Sequence, residues 1–227
     1  MLIMATITAM STDTALLALL RLVSPALPVG GFAYSQGLEY AVDAGWVKTA
    51  GDVRGWLQGA LENSLARLDV PLLLRLHGAV GDTEIFGHWN DYALACRETR
   101  ELRLEDRQMG RALWRLLASM DEPLPAIAEP GWLAAFALAA RRWGVAPEAA
   151  CQGLLWSWLE NQLAVAAKTV PIGQTDSQRI AAALMPAIVA AVVVGGAVAD
   201  SDIGGGLPGV TLASMLHESQ YSRLFRS

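Results

Sequence analysis

From Ile180 to Ala199 the chain carries no charged side chain, and no other feature narrows its folding options as sharply. A run of that length meets the ~20-residue requirement for an α-helix crossing a bilayer. The segment therefore either enters a membrane or is wrapped in protein. Its composition favours protein: Ala and Gly dominate, Pro186 interrupts it, and neither a Trp/Tyr belt nor a Lys/Arg cluster flanks it. The expectation is a buried helix, at a seam between two copies of the chain and with no membrane. The rival is a helical membrane-associated protein that uses segment 180–199.

The 227 residues suffice for a substantial core. The hydrophobic content of 53% and mean hydropathy of +0.34 are high. Much of that is alanine, which favours helices more than it drives membrane insertion. A net charge of −5 argues against nucleic acid as a partner, because phosphate contacts need clustered positive charge. Cys96 and Cys151 are the only cysteines, so neither a disulfide framework nor a cysteine-rich metal site is expected. The first ten residues are apolar but lack a basic n-region, which points to a cytoplasmic protein without a signal peptide.

Apolar residues recur at helical spacing along the chain, and nowhere is there a convincing alternating strand pattern. The fold class is all-α, a single-domain bundle of roughly eight to ten helices. Its organisation is a disordered N-terminal extension at 1–11, a helical domain at 12–200, and a glycine-tethered linker and tail at 201–227. Helices are expected from Thr12 to Leu22, from Ser35 to Ala44 and from Asp52. Others are placed over Leu72–Val80, from Gly81-Asp82 to about Cys96, and over Glu98–Met120. Trp132–Arg142 and Pro147–Ala167 follow, the second read as the centrally buried helix. Thr175 and Gln178 have capping-box spacing at the start of the charge-free helix.

Three stretches depart from this plain pattern. In Ser24–Glu39, prolines and paired glycines make a rigid connector that still carries Leu27, Val29, Phe32 and Tyr34. It reads as a turn pinned into the core or as a docking surface. In Glu98–Met120, Arg103, Arg107, Arg111 and Arg115 recur every fourth residue, answered by Glu98, Glu101, Glu105 and Asp106. That pattern reads as a solvated face laced with ion pairs, the sharper alternative being a charged docking surface. The tail from Thr211 to Ser227 mixes Met215, Leu216, Tyr221, Leu224 and Phe225 with charges. It cannot bury them alone, so it must dock on its own body or on another chain.

A search for chemistry returns little. The chain has no phosphate-cradling glycine loop and no nucleophile elbow. His77, His88 and His217 are scattered and lack ligand spacing. Glu160, beside Asn161 and Gln162, reads as an interhelical hydrogen-bonding group rather than a perturbed acid. The residues describe an interaction protein with no cofactor, metal or catalytic site, rather than an enzyme.

Four motifs converge on one family. Pro28-Val-Gly-Gly-Phe-Ala-Tyr-Ser-Gln-Gly-Leu-Glu39 with Ala44-Gly-Trp-Val47 resembles the N-terminal signature of the urease accessory protein UreF. Cys96-Arg-Glu-Thr-Arg-Glu-Leu102 with Arg107-Gln-Met-Gly110 is similar to its middle motif. Lys168-Thr-Val-Pro-Ile-Gly-Gln174 resembles its K-x-x-P-x-G-Q segment. His217-Glu-Ser-Gln-Tyr-Ser-Arg-Leu-Phe-Arg-Ser227 is similar to its terminal motif, with Ser219 in place of the usual Thr and Leu216 in place of a common basic residue. The resemblance spans about Leu16 to Ser227. It implies an all-helical, cytoplasmic, homodimeric chaperone without catalytic activity. Such a protein bridges UreD (UreH in some species) and the GTPase UreG to apo-urease and supports GTP-dependent nickel insertion, with a suggested influence on GTP hydrolysis by UreG. By the same resemblance, Phe32, Tyr34, Glu39 and Lys168 face UreG. The tail residues His217, Glu218, Tyr221, Arg223, Leu224, Phe225 and Arg226 bind UreD/UreH. The breaks at Ser24–Glu39 and Lys168–Gln174 are expected on one face, with Glu39 and Lys168 offered to a partner or paired with each other.

Overall fold

Capping side chains, prolines and left-handed residues cut the chain into ten α-helices, with no strand among the described residues. The structure, a computed structural model, describes residues 12–227, so the extension expected at 1–11 lies outside the described residues. The helices are α1 (Thr12–Leu22), α2 (Leu38–Asp43), α3 (Ala50–Ala60), α4 (Asp69–Ala79) and α5 (Thr83–Ala95). They continue with α6 (Arg100–Ser119), α7 (Trp132–Arg142), α8 (Pro147–Thr169), α9 (Gln174–Gly196) and α10 (Pro208–His217). The all-α expectation and the number of helices both hold.

Several boundaries move for local reasons. α2 starts at Leu38 rather than Ser35, because Gln36 and Gly37 have φ of 52° and 83° and cannot continue a right-handed helix. α3 starts before Asp52, because Thr49 caps it and Asp52 closes a capping box as the third helical residue. The box expected from Thr175 and Gln178 does not form. α9 begins at Gln174, where the Gly173 carbonyl already accepts the Ser177 amide. The glycine-rich stretch after Asp200 is held against the body. Ile203 is buried, its carbonyl accepts the Tyr92 hydroxyl at 3.1 Å, and the Gly204 amide donates to Arg67 O at 3.2 Å.

The centre of the bundle is α7 rather than α8. Every residue from Leu133 to Ala140 is buried, with α4 and α6 packed along the helix. α8 buries Leu155, Leu159 and Val165 but turns Gln152, Glu160 and Lys168 outward. The short alanines of α7 let its neighbours approach closely. Helix α9, charge-free from Ile180 onward, is buried on one side only. Ile180, Leu184, Ile188 and Val192 face α3, α4 and α8. Met185, Val189 and Val193 are 49%, 52% and 71% exposed, so full burial within one chain is not what the fold delivers.

Where α6 passes the start of α7 the backbones nearly touch. A Cβ added at Gly110 would lie 2.4 Å from Gly131 C and from Pro130 O. Gly78, exposed in the last turn of α4, leaves such an atom nothing within 4 Å. Gly110→Ala should therefore destabilise the chain by about 3 kcal/mol or more through backbone displacement. Gly78→Ala should be neutral or stabilise by up to ~1 kcal/mol. Urea denaturation of the two variants checks the contrast.

Candidate functional site

A buried cation sets the rotation of α6. The Arg97 guanidinium, just before the helix, donates to Asp69 Oδ1 of α4 at 2.9 Å and to Asp106 Oδ2 of α6 at 2.6 Å. Asp106 Oδ1 also accepts the Trp132 amide at 2.7 Å. Asn90 Oδ1 accepts the Gly131 amide at 2.8 Å. Because Gly131 has no capping side chain, neighbouring helices satisfy the first amides of α7, and a carboxylate suits that positive helix end. With Asp106 held this way, Glu101 and Glu105 point away from solvent, toward the C-terminal tail.

The tail folds back onto its own body. Both ring nitrogens of His217, which is fully buried, face carboxylate oxygens: Nδ1 to Glu101 Oε2 at 2.7 Å and Nε2 to Glu39 Oε2 at 3.1 Å. Arg223 donates to the other oxygen of Glu101 at 2.8 Å, so two carboxylates face an imidazole and a guanidinium. Glu39 additionally accepts the amides of Leu224 at 2.6 Å and Phe225 at 3.0 Å. The chain then crosses the Ser24–Glu39 loop. The Arg226 amide donates to Ala33 O, and Ser35 donates to Ser227 O through both its amide and its hydroxyl. Beneath this crossing, Gly37 has no room for a side chain: a Cβ there would lie 2.7 Å from the Ser214 amide of α10. Glycine at this position is what lets α10 seat against α2.

The loop is tied to α6 and α8 from below. Gln36 donates to Glu105 at 2.7 Å and accepts the Trp158 indole at 2.8 Å. Tyr34 donates to Gln108 at 2.6 Å, and Asn161 donates to Tyr34 O at 3.0 Å. Ser227 Oγ donates to Glu105 at 2.9 Å. A cavity of about 290 Å³ opens between loop, α6 and α8, lined by Leu27, Phe32, Leu102, Met109 and Trp158, with Glu105 in its wall.

The residues named from sequence thus divide. Tyr34, Glu39, His217 and Phe225 are buried, whereas Phe32, Lys168, Glu218, Tyr221, Arg223, Leu224 and Arg226 are exposed. Glu39 and Lys168 do not pair. They meet the same residue from two sides, since Lys168 Nζ stands 5.4 Å from the Phe225 ring whose amide Glu39 holds. The two proline/glycine breaks therefore do lie on one side of the molecule, joined by the tail. Among the described residues Glu160 has no interhelical hydrogen-bond partner; it faces outward, its carboxyl pushed up by partial burial, with Trp156 one turn back on α8. Ser35, Gln36, Glu101 and Glu105 were not singled out as site residues. The i,i+4 pair Glu101 and Glu105 on the margin of an apolar stripe was the available signal. Among the described residues no three of His, Cys, Asp and Glu gather in a metal-holding arrangement.

Burial pushes the Glu105 carboxyl up to about 7, against the hydrogen bonds from Gln36 and Ser227, which pull it down. Such a group retains its proton in the folded state after the unfolded chain has lost it. Its contribution is full below the ordinary glutamate range and is lost as pH rises through 7. Wild-type stability should fall between about pH 4 and 8 by on the order of 3 kcal/mol relative to Glu105→Gln, as read from paired urea titrations. A second expectation concerns Glu39→Gln, which puts an NH2 group where two backbone amides and His217 donate. Losing charge-assisted bonds worth roughly 1.5–3 kcal/mol should speed hydrogen exchange at the Leu224 and Phe225 amides ~10–100-fold.

Comparison with known proteins agrees with these motifs. The family model described as UreF matches residues 47–185. The urease accessory protein UreF of Chromohalobacter salexigens is 53% identical over 218 residues, covering 94% of this chain and 95% of its own length. That of Alkalilimnicola ehrlichii is 49% identical, covering 96% of this chain and all of its own. That of a Marinomonas species is 48% identical, covering 96% of each. Similarity of this extent shows that the chain belongs to the UreF family of urease accessory proteins.

Proposed function

We propose that this chain serves urease maturation as an adapter. It bridges UreD/UreH and the GTPase UreG to apo-urease, supports GTP-dependent nickel insertion and influences GTP hydrolysis by UreG. It works in the cytoplasm as a homodimer, without catalysis, a resident cofactor or a membrane of its own. The observation that carries the reading is the tail clasp. His217, Phe225 and Ser227 anchor the tail inside, which holds Tyr221 and Leu224 in the open, at 105% and 73% exposure. Anchored backbone presenting bare aromatic and aliphatic side chains, with Arg223 and Arg226 beside them, supplies the residue types that dominate interface energetics. It does so with little ordering cost left for binding. UreD/UreH is the occupant we assign to this tail, with UreG on the side of Phe32 and Lys168.

Self-association draws support from the uncovered apolar residues of α1 and α9. Leu16, Leu17 and Leu20 on α1 are more than half exposed, as are Val189 and Val193 on α9. α9 is long and apolar enough to cross a membrane, and the membrane reading remains its rival. Ile180, Leu184, Ile188 and Val192 are already engaged with the bundle, which favours the adapter.

Co-expression with UreD and UreG from the same source, followed by pull-down, tests the assignment. Tyr221→Ala with Leu224→Ala should weaken UreD capture at least about tenfold, the scale of a lost hot spot, while thermal unfolding is unchanged. Full UreD yield with the double variant, or with a chain lacking Thr211 to Ser227, would remove the tail from the interface.

A further inference from the structure

The arginines of α6 are answered differently from what their spacing suggests. Of the carboxylates that alternate with them, Asp106 is bound to Arg97 and Trp132. Glu101 is bound to His217 and Arg223, and Glu105 to Gln36 and Ser227. All three are buried. Glu98 accepts from Thr211 of α10. On the outer side, Glu129 alone serves two arginines, reaching Arg107 at 3.0 Å and Arg111 at 3.2 Å. Arg100, Arg103 and Arg115 are exposed and have no carboxylate within ion-pair distance among the described residues. The interior has taken the anions and left the cations outside.

Helical geometry places Arg100, Arg103, Arg107, Arg111 and Arg115 within an arc of about 120°, over about 22 Å of axis. Leu104, 47% exposed, stands inside that arc. We infer that this arginine stripe is a docking surface for an acidic face of a protein partner in the maturation complex. Charge complementarity supports the assignment. Guanidinium groups in a row, with one carboxylate shared between two of them, match a ridge of Asp and Glu bidentately. Leu104 adds an apolar contact of the kind protein interfaces bury at their centre. A protein is favoured over nucleic acid because the rest of the chain is acidic, with a net charge of −5 overall, and would repel a polyanion longer than the stripe. The stripe lies beside the tail clasp on α6, since Glu101 and Glu105 occupy the adjoining face. Docking there is therefore additional to tail binding.

The inference rests on the adapter reading. Its test is association kinetics of the full-length chain with purified UreD, UreG and apo-urease, each offered singly, and with a short DNA duplex. The variants are the triple charge reversal Arg100→Glu/Arg103→Glu/Arg115→Glu and the matching triple Arg→Lys. These side chains are exposed and hold no ion pair. Of the three, only Arg103 makes a hydrogen bond among the described residues, an exposed one to Arg97 O at 3.3 Å. Both variants should therefore fold, as circular dichroism and thermal melting verify. For one of the three proteins, the reversal should lower the association rate at least about tenfold at low salt. The lysine variant should retain most of that rate. The difference should vanish near 1 M salt, where screening acts within about 3 Å. Unchanged rates for all three proteins would overturn the docking surface and leave the adapter reading in place. A change confined to DNA would overturn the choice of a protein partner. A wild-type chain that binds none of the three would remove the adapter reading itself, and this inference with it.

Discussion

One buried cation arranges much of this molecule. Arg97 lies between Asp69 and Asp106, with both carboxylates within 3 Å. Removing Arg97 would strand two carboxylates in the interior, a loss far larger than the net worth of the triad. The geometry it enforces matters more than its stability. Locking Asp106 against Arg97 and the first amide of α7 fixes the rotation of α6 about its axis. That rotation sends Glu101 and Glu105 under the tail and loop, and sends the arginines to solvent. The buried start of α7, the clasp and the basic stripe are consequences of a single helix orientation.

The clasp itself is a closed set of polar contacts. Glu39 from α2 and Glu101 from α6 face His217 and Arg223 from the tail, and Glu39 also holds two tail amides. Charge-assisted bonds to backbone amides fix position as well as energy, so the tail is held as a shaped ledge. Tyr221 and Leu224 project from that ledge because the chain is anchored on both sides of them. An adapter gains from this arrangement: the side chains that bind are exposed, and the residues that order them are inside and protected from competing contacts.

Much of the fold was legible in the sequence because its signals are local. Proline, glycine and apolar period marked α7 at Trp132–Arg142, and placed α4, α5 and α8 within a few residues. The misjudged starts of α2, α3 and α9 each turned on one backbone angle or one cap, which propensity does not resolve. The motifs at Pro28–Glu39, Lys168–Gln174 and His217–Ser227 were visible as unusual stretches and as a family resemblance. That they meet at Phe225 was not visible, because Glu39 and Phe225 are far apart in the chain and no periodicity links them. Glu101 and Glu105 were misread for the same reason. Their alternation with arginines along the helix is compatible with a solvated charged face, and only the tail and loop packed against α6 show that they point inward.

By itself, the sequence determined an all-helical chain, the positions of its rigid breaks and its membership of the UreF family, since each follows from short-range pattern or from matched motifs. Tertiary structure alone decided which charges are buried, which helix occupies the centre and which side of α9 is covered. Those outcomes depend on the rotation of each helix against its neighbours. Rotation is set by contacts such as Gly110 on Gly131 and Arg97 between two aspartates, which bring together residues from separate parts of the chain.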